Sequence, residues 1–342
     1  MGLIDNIRTF FIGDSSKNID KRGLSLNTIF PDADVFDSDK ALTLTSVWNA
    51  IRLLSESVSS LPITVYRKEN NGDKVEDVNN RIYNLIKFKP NNFQNKITFF
   101  EYVMYSVLTD GNAYVQIVRD NSANPVQLIP INPDYVNIFI KENELFYQMD
   151  GGSVLDSADV LHIKLITDDG IEGLSPIDQC AKAINWNLSI EEFGSTFFKN
   201  GAKPSSVLST DRALSETAIE RLKNSFNSSY AKLKSSNSTI ILEEGLTFKP
   251  ISISPEQAQF LASRQFGIEE IARIFNIPPH MLKDLSKSSF NNIEMQSQEY
   301  VTYTLMPYLT RIEQEMNLKL FRTNELGKTF VEFNVNGLLR GD

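Results

Sequence analysis

Few side chains in this sequence could do covalent or acid–base chemistry, and they are scattered. The candidates are two histidines, His162 and His280, one cysteine, Cys180, and the acidic turn Asp168-Asp169-Gly170. His162 sits in the alternating stretch VLHIKL (160–165), between Leu161 and Ile163, and reads as a structural side chain rather than a catalytic one. His280 follows Pro278-Pro279, where ending a helix is the plainer role. Cys180 falls on an apolar helical face and reads as a small buried hydrophobe. A single cysteine also excludes an intrachain disulfide and the cysteine-based zinc motifs. Two adjacent acids without further spaced ligands make a solvated turn, not a metal loop. Neither GxxxxGK nor GxGxxG occurs, so ATP hydrolysis is not expected. No catalytic residue, metal or cofactor is assigned.

The elements around these residues carry more information. From Ser252 to Met316 two helix patterns flank a proline-rich loop. Ser254 can cap the first helix, Pro255 fits its first position, and Gln257 completes a capping box. Ala258, Leu261, Ile268, Ala272 and Phe275 then recur at helical spacing. Asn276 is a left-handed stop, and Pro278-Pro279 removes two backbone donors. After the loop, Asn292 caps a new helix with Glu294 in its first turn. Pro307 should kink that helix by crowding the carbonyl four residues earlier. Upstream, Ser175-Pro176-Ile177-Asp178 repeats the capped start. Helical spacing there persists to about Asn200, about 37 Å of rod at 1.5 Å per residue, and Gly201 and Pro204 end it. Its apolar face (Trp186, Phe193, Phe197) fits either a core or a neighbouring subunit. Between the rods lie a short strand (206–209) and a helix from Ser215 carrying Ile219, Leu222, Phe226, Tyr230 and Leu233. A hairpin pattern follows, 239–242 with 246–253, turned at Glu243-Glu244-Gly245.

The first half reads as α+β. Residues 43–61 are an amphipathic helix with Val47, Ile51, Leu54, Val58 and Leu61 on one face, ended by Pro62. Ile63–Lys68 is a strand followed by the turn Asn70-Asn71-Gly72-Asp73, and residues 97–109 are helical. Residues 113–120, 125–131, 136–141, 145–149 and 160–165 are strands of a mostly antiparallel sheet. Residues 1–40, rich in Asp, Ser and Asn, read as a mobile arm.

At 342 residues the chain is too long for one core. No window resembles a membrane span or a secretory signal, and the N-terminus lacks the residue that the myristoylation pattern needs. Residues 1–175 carry 16 basic and 24 acidic side chains, eight of the nine net negative charges. Residues 176–342 are near neutral, with 18 basic and 19 acidic. That balance excludes a broad phosphate-gripping surface, and no recognition helix is visible, so a sequence-specific DNA-binding protein is excluded too.

Seven words in order carry a resemblance: TLTSVWNAIRLLSESVSSLPITVYR (43–67), LTDGNAYVQIVRD (108–120), VLHIKL (160–165), GLSPI (173–177), FFKNGAKPSSVLS (197–209), SPEQAQFLASRQF with EEIARIFNIPPHML (254–282), and NNIEMQSQEYVTYTLMPYLTRIEQEMN (291–317). From about Ala41 to Asp342 the chain resembles the portal proteins of tailed bacteriophages, HK97 type.

The resemblance implies a portal fold. It comprises an arm (1–40), an α/β wing (41–175), a first stem helix (176–204), a small α/β clip (205–253), a second stem helix (254–276) and a tunnel loop (277–291). A kinked helix (292–342) then returns to the wing and begins a C-terminal crown region, and the crown itself is expected to be absent. The tunnel loop would place His280, Lys283, Asp284, Ser286, Lys287 and Ser288 at the DNA channel. The clip would present Ser206, Arg221, Tyr230, Lys232, Glu243 and Glu244 to partners. The implied function is a head–tail connector ring, twelve copies in the virion, with no enzymatic activity. Implied partners are the large terminase subunit, the major capsid protein or scaffold, a head–tail adaptor and weakly held double-stranded DNA, with no membrane. The alternative from the residues alone is a cytosolic α+β enzyme, hydrolase-like, with His162 and Asp168-Asp169 as its candidate site.

Overall fold

A computed structural model describes residues 38–199, 206–209, 215–217, 219–221, 224, 247–250, 256–283 and 298–339. Almost all of the expected N-terminal arm lies outside them. The chain divides into two units, residues 1–185 with 267–342, and residues 186–266.

In the larger unit a single turn, α1 (Ser38–Ala41), precedes α2 (Thr45–Ser60). The expected face is the buried one: Val47, Ile51, Leu54, Val58 and Leu61 are nearly inaccessible. Pro62 follows the C-cap, where the Leu61 amide bonds the Val58 carbonyl. After the short α3 (Tyr83–Lys87), α4 (Lys96–Asp110) packs on α2 and buries Phe99, Phe100, Val103, Met104 and Val107. Burying each such side chain contributes about 1.5–3 kcal/mol. Asn95 caps α4 by accepting the Thr98 amide at 3.0 Å, and Gly111, at φ +75°, ends it.

The strands form three separate antiparallel sheets in this unit, not one. The first has the order β11-β1-β2, from β1 (Ile63–Lys68), β2 (Lys74–Glu76) and β11 (Thr329–Phe333). Gly72, at φ +90°, makes the turn between β1 and β2. The second, β4-β3-β8, uses β3 (Asn112–Arg119), β4 (Pro125–Ile131) and β8 (Val160–Lys164). The third, β5-β6-β7, uses β5 (Val136–Lys141), β6 (Glu144–Met149) and β7 (Val154–Asp156). Tyr114, Ile131, Val136, Tyr147 and Val160 form one buried cluster drawn from the second and third sheets. The single expected sheet fails because strand pairing depends on partners that local spacing does not reveal.

The expected rod from Pro176 is broken. A short α5 (Pro176–Gln179), capped by Ser175 as expected, ends at Cys180, which has φ −106° and ψ 19°. The Cys180 carbonyl then accepts the amides of Ala183 and Ile184 and starts α6 (Ala181–Lys199), about 28 Å long at 1.5 Å per residue. In the smaller unit, β9 (Ser206–Ser209) pairs antiparallel with β10 (Thr247–Pro250). The strand expected to turn back on 239–242 thus finds its described partner at 206–209. Residues 239–246 lie outside the described residues, as do Leu222, Phe226, Tyr230 and Leu233.

The second rod is α7 (Glu256–Ile274); its expected cap at Ser254-Pro255 lies outside the described residues. Further on, residues 300–305 form a π-turn, and α8 (Met306–Lys319) begins with Pro307 in its first turn. The Pro307 effect therefore takes the form of a change of helical register. Helix α8 lies on β8 and β11: Lys319 Nζ donates to the Val160 carbonyl at 2.6 Å and Arg311 to the Lys164 carbonyl at 3.1 Å. The outer edge of β11 is closed by α8 side chains. Asn317 accepts the Val331 amide at 2.6 Å and Glu313 accepts the Phe333 amide at 2.8 Å. A last turn, α9 (Asn336–Leu339), follows β11.

Candidate channel and docking surfaces

Helices α6 and α7 are paired within the smaller unit. Trp186 meets Phe266 edge-on at 5.6 Å between ring centroids, and Phe193 meets Phe260 at 6.1 Å. Glu191 faces Arg264 at 4.0 Å, an exposed pair that adds little energy. Positions rising along α6 meet positions falling along α7, so the helices run antiparallel. Gly194 is the close-approach point: a Cβ there would sit 2.6 Å from Phe260 Cζ. A glycine inside a helix costs about 1 kcal/mol against alanine, and that cost was the available signal of tight packing. Much of this aromatic surface is uncovered. Trp186 is 40% exposed, Phe266 46%, Phe193 57% and Leu261 65%. Two readings of the α6 face were open, core or subunit contact; one copy leaves it half-covered. The Phe197 side chain lies outside the described residues.

Helix α7 stops at Asn276 as expected, at φ +52°, with the Ile277 amide on the Ala272 carbonyl at 2.8 Å. Pro279–Leu282 form a 3-10 turn, and Lys283, at φ +68°, closes it with an exposed side chain. His280 is half-buried, both ring nitrogens are shielded, and neither has a partner among the described residues. Burial pushes its pKa down, so it offers no cation at neutral pH. Lys283 is the described candidate that presents positive charge. Asp284, Ser286, Lys287 and Ser288 lie outside the described residues. Of the clip candidates, Ser206 lies in β9 opposite Pro250, and Arg221 is exposed in a helical stretch. Tyr230, Lys232, Glu243 and Glu244 lie outside the described residues.

The remaining chemistry-bearing residues are structural. His162 is 1% exposed, its Nδ1 lies 3.1 Å from Tyr147 Oη, and its Nε2 lies 2.9 Å from Asn112 Oδ1. The Asn112 oxygen also accepts the Gly173 amide at 2.6 Å, and its amide nitrogen donates to the Gly173 carbonyl at 2.7 Å. An acceptor oxygen on Nε2 fixes the proton there, so Nδ1 accepts from the tyrosine. Every polar atom in this chain of bonds is satisfied, and burial drives the His162 pKa down to about 3. Gly111 and Gly173 cross here: a Cβ on either would meet the other segment's backbone at 2.3 or 2.2 Å. Three of the quoted words, LTDGNAYVQIVRD, VLHIKL and GLSPI, thus meet at one buried junction, which sequence reasoning did not anticipate.

Asp169 accepts the amides of Ile171 and Glu172 at 2.7 and 2.9 Å in a turn with Gly170 at φ +80°. No group of metal-ligating residues occurs among the described residues. Cys180, expected to be buried, is half-buried at the break between α5 and α6, and burial raises its thiol pKa. No described helix is long and apolar enough to cross a membrane.

Comparison with known proteins agrees with the quoted words. Residues 45–342 match the family model described as phage portal protein. The portal protein of Enterobacteria phage HK97 is 29% identical over 313 residues, covering 90% of this chain and 74% of that protein. An HK97-family phage portal protein from Corynebacterium diphtheriae has the same fold, with TM-score 0.67 and 18% identity over 90% of this chain and 98% of that one. A chain from the neck of a native gene transfer agent particle, computed with C12 symmetry, matches with TM-score 0.59 and 21% identity, covering 86% of this chain and 83% of that one. Because the family model matches residues 45–342, most of its length, the chain belongs to the phage portal protein family.

Proposed function

We propose that copies of this chain close into a ring at one vertex of a phage head, through which double-stranded DNA enters during packaging and leaves at ejection. Portal proteins are structural, so the ring is a conduit, and the energy for packaging comes from a terminase that docks on it. The observation that carries this reading is the antiparallel pair α6–α7. Two rods joined by aromatic contacts leave Trp186, Phe193, Leu261 and Phe266 substantially exposed in one copy. A second copy, placed side by side around an axis, would cover that surface, and repeated head-to-tail contacts close when the rotation divides a circle. Twelve copies are proposed by analogy with the gene transfer agent neck.

The charge balance suits this role. A near-neutral second half and an acidic first half hold a polyanion weakly, whereas a strongly basic bore would retain it. The clip, 205–253, is proposed to present Ser206, Arg221, Tyr230, Lys232, Glu243 and Glu244 to the terminase and later to the head–tail adaptor. The wing, 41–175, would meet the capsid protein or scaffold. In the tunnel loop, Lys283 and Lys287 are proposed to touch phosphates, flanked by Asp284, Ser286 and Ser288, with His280 anchoring the base. Replacing both lysines with Glu tests the channel contact: packaged DNA per particle should fall. Unchanged titre and unchanged packaged length would contradict it.

A further inference from the structure

Pro307 creates a hydrogen-bonding problem that Asn276 solves. Proline has no amide hydrogen, so the carbonyl four residues earlier, that of Tyr303, loses its α-helical partner. The chain widens there into the π-turn Tyr300–Leu305. Asn276 Nδ2 donates to the Tyr303 carbonyl at 2.9 Å, and Thr304 Oγ1 donates back to the Asn276 carbonyl. The same asparagine ends α7. Its left-handed backbone lets the Ile277 amide reach the Ala272 carbonyl at 2.8 Å and its own amide reach Arg273 at 3.2 Å. Glycine could fill that backbone role equally well. Only a short side chain that also donates can do both. Around the contact, Thr304 and Leu305 are buried, and Tyr300 Oη donates to Ser57 Oγ at 2.9 Å.

We infer that Asn276 is a register lock: it stands in for the amide that Pro307 lacks, holds the π-turn in its present winding, and ties together the two stretches flanking residues 284–297. Without it, the Tyr303 carbonyl loses its side-chain donor and is left to solvent, and the turn is less firmly held in its register. A one-residue change of register shifts a helix by about 1.5 Å and about 100°. The lock would therefore fix how residues 298–305 are presented, whether or not the chain forms a ring.

Hydrogen exchange read by mass spectrometry on the full chain tests this with Asn276→Gly, Asn276→Asp, and each combined with Pro307→Ala. Glycine and aspartate both tolerate the left-handed backbone and neither donates. Exchange in the peptide covering 300–310 should rise about fivefold, the factor expected for one lost hydrogen bond of about 1 kcal/mol, while peptides at 268–275 and in α4 keep their rates. With Pro307→Ala the residue at 307 supplies its own amide, so the same Asn276 substitutions should change exchange by less than about twofold. Wild-type exchange in both single variants would overturn the inference. So would an equal acceleration with and without Pro307→Ala, since the effect would then have nothing to do with the missing amide.

Discussion

Replacing Gly194 with alanine sets two physical effects against each other. In a helix that packs on nothing, Gly→Ala stabilises by about 1 kcal/mol because alanine loses less conformational freedom. Gly194, however, lies against Phe260, where an added Cβ would come within 2.6 Å of Cζ and 3.2 Å of Cε2. Carbon atoms pack best at about 3.5–4.0 Å, so the ring must withdraw by about 1 Å. Phe193 already flanks that ring at 6.1 Å between centroids, which limits where it can go. Overpacking of this kind costs about 1–3 kcal/mol, which exceeds or cancels the propensity gain. The expected net effect is a loss of about 1 kcal/mol, or about fivefold faster hydrogen exchange across 187–199. Gly194→Ala combined with Phe260→Leu should recover most of that protection. If Gly194→Ala alone slows exchange, propensity has won, and the close α6–α7 approach is wrong.

Acid should weaken the larger unit through His162. Its pKa falls from 6.5 to about 3 on folding, so the folded state favours the neutral ring. The stabilisation is complete above about pH 6.5 and is lost as pH falls toward 3, at up to about 1.4 kcal/mol per pH unit. Denaturant midpoints between pH 5 and 6.5 should show this slope, and His162→Gln should flatten it; equal slopes would contradict the buried neutral histidine. Asn317→Ala leaves the buried Val331 amide without an acceptor and should cost about 1–3 kcal/mol in chemical unfolding. Asn317→Asp keeps the acceptor and should cost less; equal losses would show that the β11 edge is held otherwise. Arg81→Ala removes the paired contacts at 2.7 and 2.6 Å to Glu325, whose pKa the arginine holds down at about 2. The difference between wild type and variant should be largest above about pH 4.5 and shrink below it.

Sequence pattern made the punctuated elements legible. The buried face of α2, the stop at Pro62, the Asn276 cap and the strands β3, β4, β5, β6 and β8 all rest on local rules of spacing, capping and turn chemistry. What was hidden depends on distant partners or on a choice between local alternatives. Strand β11 pairs with β1 from the far end of the chain, and TFVEF alone does not say which edge it completes. The break at Cys180 has no proline or glycine to mark it; good helix formers lie on both sides. Pro307 announced a defect, but not that the defect would be a π-turn completed by Asn276. At the proposed site, the tunnel and clip candidates came from family resemblance rather than from physics. In the sequence, Lys283 and Lys287 look like ordinary surface lysines; only the proposed ring would give them something to face. His162, the most chemically suggestive residue, is a buried hydrogen-bonded link between Tyr147 and Asn112, because burial and full hydrogen bonding remove its capacity to take up a proton near neutral pH.

The most direct test is electron cryomicroscopy of capsids assembled with this chain, viewed at the vertex that carries it. The account predicts a closed ring of identical copies, with α6 and α7 side by side around the bore, the Trp186–Phe266 surface against a neighbouring copy, and residues 277–290 at the narrowest point. A vertex without such a ring, or a ring that turns the α6–α7 pair outward and leaves 277–290 away from the DNA, would contradict it.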